Sequence, residues 1–190
     1  MTPNPYNEDQ LVEQPAIALF AALGWQTLSA LEETFGPGGA LGRDTNSEVV
    51  LVPRLRAALV ALNPDLPADA VQAAIDELSR DRSAMSLAAA NREIHTLITQ
   101  GVPVSIPDPV HGGTTSQRLR VIDWNQPAAN DFQLVSQLWI SGSLYTRRPD
   151  LVGFVNGLPL LNIELKTPGV ATRRAFDDNV ANHKTDLPQL

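Results

Sequence analysis

The sequence contains no cysteine, and only two of its 190 residues are lysines. The absence of cysteine excludes a disulfide scaffold, a thiol nucleophile and a zinc site with thiolate ligands. No run of 18 apolar residues is present, so no membrane-spanning helix is predicted. The first ten residues carry acids and no basic residue, unlike a secretory signal. We therefore expect a cytoplasmic protein without a membrane partner.

Charge is distributed unevenly along the chain. The net charge of −7 argues against a protein that coats nucleic acid nonspecifically. Residues 1–140 contain eight basic and sixteen acidic side chains, whereas residues 141–190 contain six and five, including both lysines. An anionic substrate is therefore expected to bind through the second of these segments.

Apolar periodicity predicts helices first and strands afterwards, with Pro15 and Pro53 interrupting the first two helices. The predicted helices cover 8–23, 47–62, 68–80, 86–100 and 172–184. The predicted strands cover 25–28, 102–106, 118–124, 132–140, 150–156 and 158–165, with a connecting loop at 107–116. We expect one α/β domain over 1–190, with a helical part at 8–100, a mixed sheet and active-site hairpin at 102–166, and a returning helix at the end.

Charged residues gather at one point of an otherwise apolar stretch. Asp150 opens one predicted strand, and Glu164 and Lys166 lie two residues apart near the end of the next, so both leave the same face. Charges placed there are costly unless they are paired, hydrated or bound to a metal. Two carboxylates favour a hard cation such as Mg²⁺, and a neighbouring lysine suits phosphodiester hydrolysis.

The hairpin register constrains this hypothesis. The dipeptide Asn156-Gly157 predicts a two-residue turn between the two strands. A strict two-residue loop pairs position 150 with position 163, which puts Asp150 and Glu164 on opposite faces. A shared metal therefore needs a longer loop, a bulge, or an Asp150 that lies just outside its strand, and we predict one of these three.

Two neighbouring stretches of this region carry a resemblance to a known family. NDFQLVSQLWISG and RRPDLVGFVNGLPLLNIELK closely resemble the N-terminal endonuclease domain of the R (restriction, HsdR) subunit of type I restriction enzymes. The segments VEQPAIALFAALGW and ALNPDLP are similar to the same family, so the resemblance covers essentially the whole chain. The pattern of an aspartate, thirteen residues and Glu-x-Lys is typical of the PD-(D/E)xK nuclease superfamily.

The resemblance implies a role for particular residues. Asp150 and Glu164 would be metal-binding carboxylates, and Lys166 the catalytic lysine. Glu13, on the first helix, matches an acidic residue that many of these nucleases place beside the metal.

Other side chains are expected to contact DNA. The family usually has Gln-x-x-x-Tyr on the helix after the lysine, and the matching positions here are Asn179 and His183. The residues expected to meet DNA are Arg147, Arg148, Arg173, Arg174, Asn179 and His183. Trp124 and Trp139 fall in strand patterns, so we expect them in the core and not as stacking platforms for bases.

The resemblance also implies an assembly. It implies a restriction-endonuclease-like sheet flanked by helices, in a bacterial or archaeal ATP-dependent complex that acts on duplex DNA. The implied partners are modification and specificity subunits and motor domains of the same chain beyond residue 190. ATP is not expected to bind here, because GPGGALGR lacks the spacing and the lysine of a phosphate-binding loop. A stand-alone nuclease or resolvase and a catalytically silent docking domain remain open alternatives.

The charge distribution generates a prediction about DNA binding. We expect the isolated chain to bind a short duplex with a Kd of about 10⁻⁴ M or weaker at physiological salt, because its acidic surface repels phosphates. Fluorescence anisotropy with a labelled duplex measures this affinity. Tight, sequence-specific binding by the isolated chain would contradict the expectation that other components deliver the DNA.

Overall fold

The computed structural model describes residues 9–142, 145–166, 169, 173 and 175–186. Its α-helices are α1 (Gln14–Ala22), α2 (Val52–Leu62), α3 (Ala68–Leu78), α4 (Leu87–Gln100) and α5 (Ala181–Asp186). Its strands are β1 (Gln26–Ser29), β2 (Val102–Pro107), β3 (Thr114–Leu119), β4 (Phe132–Ser136), β5 (Ile140–Ser141), β6 (Thr146–Arg147), β7 (Leu151–Val155) and β8 (Leu158–Ile163). Wider π-helical turns occupy Asp9–Glu13 and Ala175–Val180, and a short 3₁₀ turn occupies Pro127–Ala129. Within the described ranges, no helix is long and apolar enough to cross a membrane.

The main sheet has four strands in the order β1-β4-β7-β8. Strands β1 and β4 are parallel, with Gln26 opposite Gln133 and Ser29 opposite Ser136. Strands β7 and β8 are joined by only two residues, a connection that antiparallel strands alone permit. The sheet is therefore mixed, which confirms the predicted α/β class.

The residues group into two compact units. The first comprises Met1–Val49, Phe132–Phe154 and Pro159–Leu190, and the second comprises Val50–Asp131 and Val155–Leu158. The first unit holds nearly all of the main sheet with α1, α5 and the two-residue strands β5 and β6. The second holds α2, α3, α4 and the antiparallel pair β2–β3. The expectation of a single domain over 1–190 stays a prediction.

Aromatic packing fixes α1 against the sheet in the first unit. The Phe20 and Trp25 rings meet edge to face, with centroids 5.1 Å apart, and Trp25 lies at the same distance from Phe132 on β4. Gly153 on β7 makes this approach possible, because a Cβ atom there would lie 3.1 Å from the Trp25 ring and 2.9 Å from Leu161. The position of α1 relative to the sheet is thus set by close packing.

A buried arginine organises the long segment between β1 and α2. The Arg43 side chain is 1% exposed and forms an ion pair with Glu33, with Nε and Oε1 2.9 Å apart. Its guanidinium also donates to the carbonyls of Glu48 and Trp139, at 2.9 and 3.1 Å. With a second bond from the guanidinium to Glu33 Oε2, Arg43 donates four hydrogen bonds, which satisfy the buried charge and tie this loop to the segment that follows β4.

Two predicted boundaries are wrong for identifiable reasons. Helix α2 begins at Val52 and not at 47, because Pro53 lacks an N–H and fits only in the first turn. Strand β3 covers Thr114–Leu119, so it begins inside the predicted loop at 107–116 and shares only residues 118–119 with the strand predicted at 118–124. Its register pairs Leu119 with Val102, the first residue of β2, so the ladder ends there.

The expected burial of two tryptophans is also wrong. Trp124 is 59% exposed and Trp139 is 43% exposed. Trp124 lies beyond the end of β3, and Trp139 lies between β4 and β5, so neither belongs to a buried strand. The alternation of apolar and polar residues predicted strands through both tryptophans, but β3 ends at Leu119 and β4 ends at Ser136.

The turn after β7 is more than a tight connection. Asn156 and Gly157 both have positive φ values, 52° and 80°, as a type I′ turn requires. The Asn156 side chain is fully buried; its amide donates to the Val121 carbonyl at 2.8 Å and to Asn130 Oδ1 at 2.9 Å. Its Oδ1 accepts the Asp131 N–H at 2.7 Å. The turn therefore anchors the chain inside the second unit.

We expect Asn156→Ala to lower the free energy of unfolding by roughly 3 kcal/mol, because it leaves several buried polar groups without a partner. Chemical denaturation measures the change. The matched control is Asn162→Ala, at an exposed position of β8, which should cost less than about 0.5 kcal/mol. Equal effects at the two positions would show that the buried network does not contribute.

Candidate active site

The ends of the four main-sheet strands meet at one edge. Parallel strands β1 and β4 finish there, and the antiparallel hairpin starts β7 and ends β8 on a common side. The Gln137 N–H, just after β4, donates to the Asp150 carbonyl, just before β7, at 3.4 Å. The edge therefore collects residues from distant parts of the chain, as carboxyl ends of strands often do at binding sites.

Asp150 lies one residue before β7, which confirms one of the three arrangements predicted from the hairpin register. The loop itself has two residues, and the side chain of Asp150 escapes the strand alternation because it precedes the ladder. Its Oδ2 accepts the backbone N–H of Leu165 at 2.7 Å. This contact brings the Asp150 carboxylate to the segment that carries Glu164 and Lys166.

Glu164 and Lys166 follow the end of β8 at Ile163 instead of lying within a strand. Both side chains are half-buried, and the Oε1 atom of Glu164 is shielded from solvent. Lys166 forms no ion pair with an acid of the described residues. A half-buried ammonium that has no such pair in the described part of the chain is chemically suited to an anionic ligand.

Glu13 reaches the same edge from the turn before α1. It is 9% exposed, and both of its carboxylate oxygens accept hydrogen bonds from the Gln137 side-chain amide, at 2.8 and 3.1 Å. Gln137 thus contacts Glu13 through its side chain and the Asp150 carbonyl through its backbone. The sequence hypothesis did not include Gln137, and no local pattern marks it.

A cavity of about 510 Å³ opens beside the Glu13–Gln137 pair. Its wall combines this pair with hydroxyl groups from the ends of β1 and β4, at Ser29 and Ser136, and with the apolar side chains of Ile17, Leu28, Leu31 and Leu134. None of Asp150, Glu164 and Lys166 lines it. The cavity therefore lies beside Glu13 and the ends of β1 and β4, and not beside the residues of the hairpin.

Two of the arginines expected to contact DNA lie on the segment between β5 and β7. Arg147 donates from Nε to Asp186 Oδ2 at 2.8 Å and lies over the Tyr145 ring. Arg148 lies over the Trp139 ring, 5.2 Å from its centroid. Arg147 is thus held by an acid of α5, whereas Arg148 is presented on an exposed aromatic surface next to Asp150.

The remaining expected DNA contacts are only partly described. Arg173 is exposed, pairs with Asp177 at 3.0 Å and lies over the Phe176 ring. Arg174 lies outside the described residues. The backbone of Asn179 belongs to the π-helical turn and that of His183 to α5, but both side chains lie outside what the structure describes.

The chain is similar in sequence to a known protein family and to several of its members. Residues 5–190 match the family described as Type I restriction enzyme R protein N terminus. The chain is 32% identical over 158 residues to the Type I restriction enzyme HindI endonuclease subunit of Haemophilus influenzae, covering 83% of this chain and 15% of that protein. It is 39% identical over 61 residues to the Type I restriction enzyme EcoprrI endonuclease subunit of Escherichia coli, covering 32% and 19%. The matched residues cover less than a fifth of the length of each of these relatives.

The Asp150–Leu165 contact predicts a local pattern of hydrogen exchange. We expect Asp150→Ala to accelerate exchange of the Leu165 amide by at least about tenfold, because a hydrogen bond to a charged acceptor is lost. Asp150→Asn keeps an acceptor oxygen and should retain most of the protection. Exchange measured by NMR or mass spectrometry distinguishes them; unchanged exchange in Asp150→Ala would contradict the contact.

Proposed function

Because the chain belongs to the family of type I restriction enzyme R protein N-terminal regions, we propose that it is the metal-dependent endonuclease domain of an R subunit. In this proposal it hydrolyses phosphodiester bonds of duplex DNA and has a restriction-endonuclease-like, PD-(D/E)xK type of fold. Asp150, Glu164 and Lys166 form its catalytic centre. The observation that carries the proposal is the hydrogen bond from the Leu165 amide to the Asp150 carboxylate. Leu165 lies between Glu164 and Lys166 in the sequence.

The donor set fits a hard divalent cation. Asp150 and Glu164 supply carboxylate oxygens, the ligands that Mg²⁺ prefers, and the hydrogen bond from the Leu165 amide brings the Asp150 carboxylate to the segment that carries Glu164. No group of three or more histidine, aspartate or glutamate side chains suited to a metal exists among the described residues. Two carboxylates are nevertheless enough, since Mg²⁺ retains several waters and commonly binds through one or two carboxylates and a substrate phosphate.

In this proposal each side chain has its own role in phosphodiester hydrolysis. Asp150 and Glu164 would hold the cation, which would neutralise phosphate charge and lower the pKa of a bound water. The Lys166 ammonium orients the attacking water or balances negative charge that develops on the phosphate. Glu13 is a further candidate for the metal's surroundings, because the sheet edge brings it near Asp150 through Gln137.

The arginines and the assembly complete the proposal. Arg148 lies on an exposed aromatic surface beside the hairpin, where it can contact a phosphate. Arg147 can do so when its ion pair with Asp186 is broken. Arg173 lies further along the sequence. Arg174, Asn179 and His183 stay predicted DNA contacts. The acidic balance of residues 1–140 supports delivery of DNA by other parts of the R subunit and by modification and specificity subunits, with ATP bound outside these residues.

Plasmid nicking by the complete complex, with Mg²⁺ and ATP, tests the assignment. We expect Asp150→Ala and Lys166→Ala to lower the nicking rate by at least about 100-fold, because each removes a group that acts on the reacting phosphate. Their ATP hydrolysis should stay at the wild-type rate, which shows that the variant subunits assemble.

Matched controls come from the same residue types. Lys184, the other lysine of the chain, and Asp65, an exposed aspartate between α2 and α3, can each be changed to alanine. Both control variants should nick like the wild type. Nicking by Asp150→Ala and Lys166→Ala at the wild-type rate would overturn the site assignment and favour a silent docking domain.

A further inference from the structure

Gln137 joins two acids of the sheet edge that lie far apart in the sequence. Its Nε2 donates to both carboxylate oxygens of Glu13, 124 residues away, at 2.8 and 3.1 Å. Its backbone N–H makes a long hydrogen bond of 3.4 Å to the carbonyl of Asp150. One residue therefore contacts the turn before α1 and the start of the catalytic hairpin.

The backbone of Gln137 adopts an uncommon conformation to do this. Its φ of 59° is in the left-handed region, and of the described non-glycine residues only Asn156 shares a positive φ. Such a conformation costs of order 1 kcal/mol or more for a residue with a Cβ atom and is concentrated at functional sites. It ends β4 at Ser136 and turns the side chain toward Glu13.

Glu13 requires such a partner. Its side chain is 9% exposed, so an ionised carboxylate there loses most of its hydration. The Gln137 amide replaces part of that hydration with fixed donors, and the packing of Phe20 and Trp25 holds α1 in place. The carboxylate is thus kept at a defined position beside the cavity at the ends of β1 and β4.

We propose that Gln137 is a positioning residue for cleavage, which holds the Glu13 carboxylate in fixed relation to Asp150. This inference rests on the proposed nuclease function and assigns a role to a residue outside the D…ExK pattern. Outer partners of this kind typically affect activity or metal affinity by about 10–100-fold when they are removed.

The test uses the full-length subunit in its complex. Gln137→Gly removes the amide while glycine retains the left-handed backbone without strain. The exchange of Glu13→Gln together with Gln137→Glu restores an amide–carboxylate hydrogen bond but moves the negative charge from the α1 turn to the end of β4. Plasmid nicking reports on cleavage, and hydrogen exchange by mass spectrometry reports on the protection of α1.

We expect Gln137→Gly to accelerate exchange in α1 and to reduce nicking by about 10–100-fold. The double exchange should protect α1 as the wild type does, because it rebuilds the hydrogen bond between positions 13 and 137. Its nicking rate should stay low, because the negative charge now lies at position 137 and not at position 13. Wild-type nicking by Gln137→Gly, or nicking restored by the double exchange, would overturn the inference.

Asp150→Ala, assayed in parallel, distinguishes a failure of the proposed nuclease site from a failure of the positioning role of Gln137. If Asp150→Ala nicks normally, the proposed nuclease site itself fails. If Asp150→Ala is inactive while Gln137→Gly nicks like the wild type, only the positioning role of Gln137 fails.

Discussion

The hydrogen bond from the Leu165 amide to the Asp150 carboxylate is the contact on which the proposed site depends. A two-residue hairpin turn would place a carboxylate at position 150, if it belonged to the ladder, on the face opposite Glu164. Asp150 avoids this conflict because it precedes β7 by one residue, so its side chain is free to turn toward the end of β8. A tight turn is thereby compatible with a contact between the Asp150 carboxylate and the segment that carries Glu164.

The hairpin could be predicted from the sequence because its determinants are local. Asn156-Gly157 specifies the turn, and the register leaves three arrangements that would let Asp150 and Glu164 share a metal, of which the structure has Asp150 outside the strand. The Glu13–Gln137 contact could not be predicted in the same way, since it joins residues 124 positions apart and depends on a left-handed residue that is neither glycine nor asparagine. The burial of Trp139 was misjudged because β4 ends at Ser136, where that left-handed residue interrupts the alternation.

In the proposed function an acidic chain acts on DNA, and its charge balance favours delivery of that DNA by other components. The matched residues cover 15% and 19% of the length of the two relatives, which are endonuclease subunits of type I restriction enzymes. In the proposed function, weak intrinsic affinity for DNA limits cleavage to duplex that other domains and subunits have already positioned. Arg148, presented on Trp139 beside Asp150, then needs to make only local contacts with a phosphate.

The central claim is that Asp150 and Glu164 share one hard divalent cation. Crystals of the full-length subunit soaked in Mn²⁺ test it most directly, because anomalous scattering locates that ion independently of activity. The account predicts an anomalous peak in direct coordination with both carboxylates, lost in Glu164→Ala. Carboxylates that point apart, with no peak between them, would contradict it.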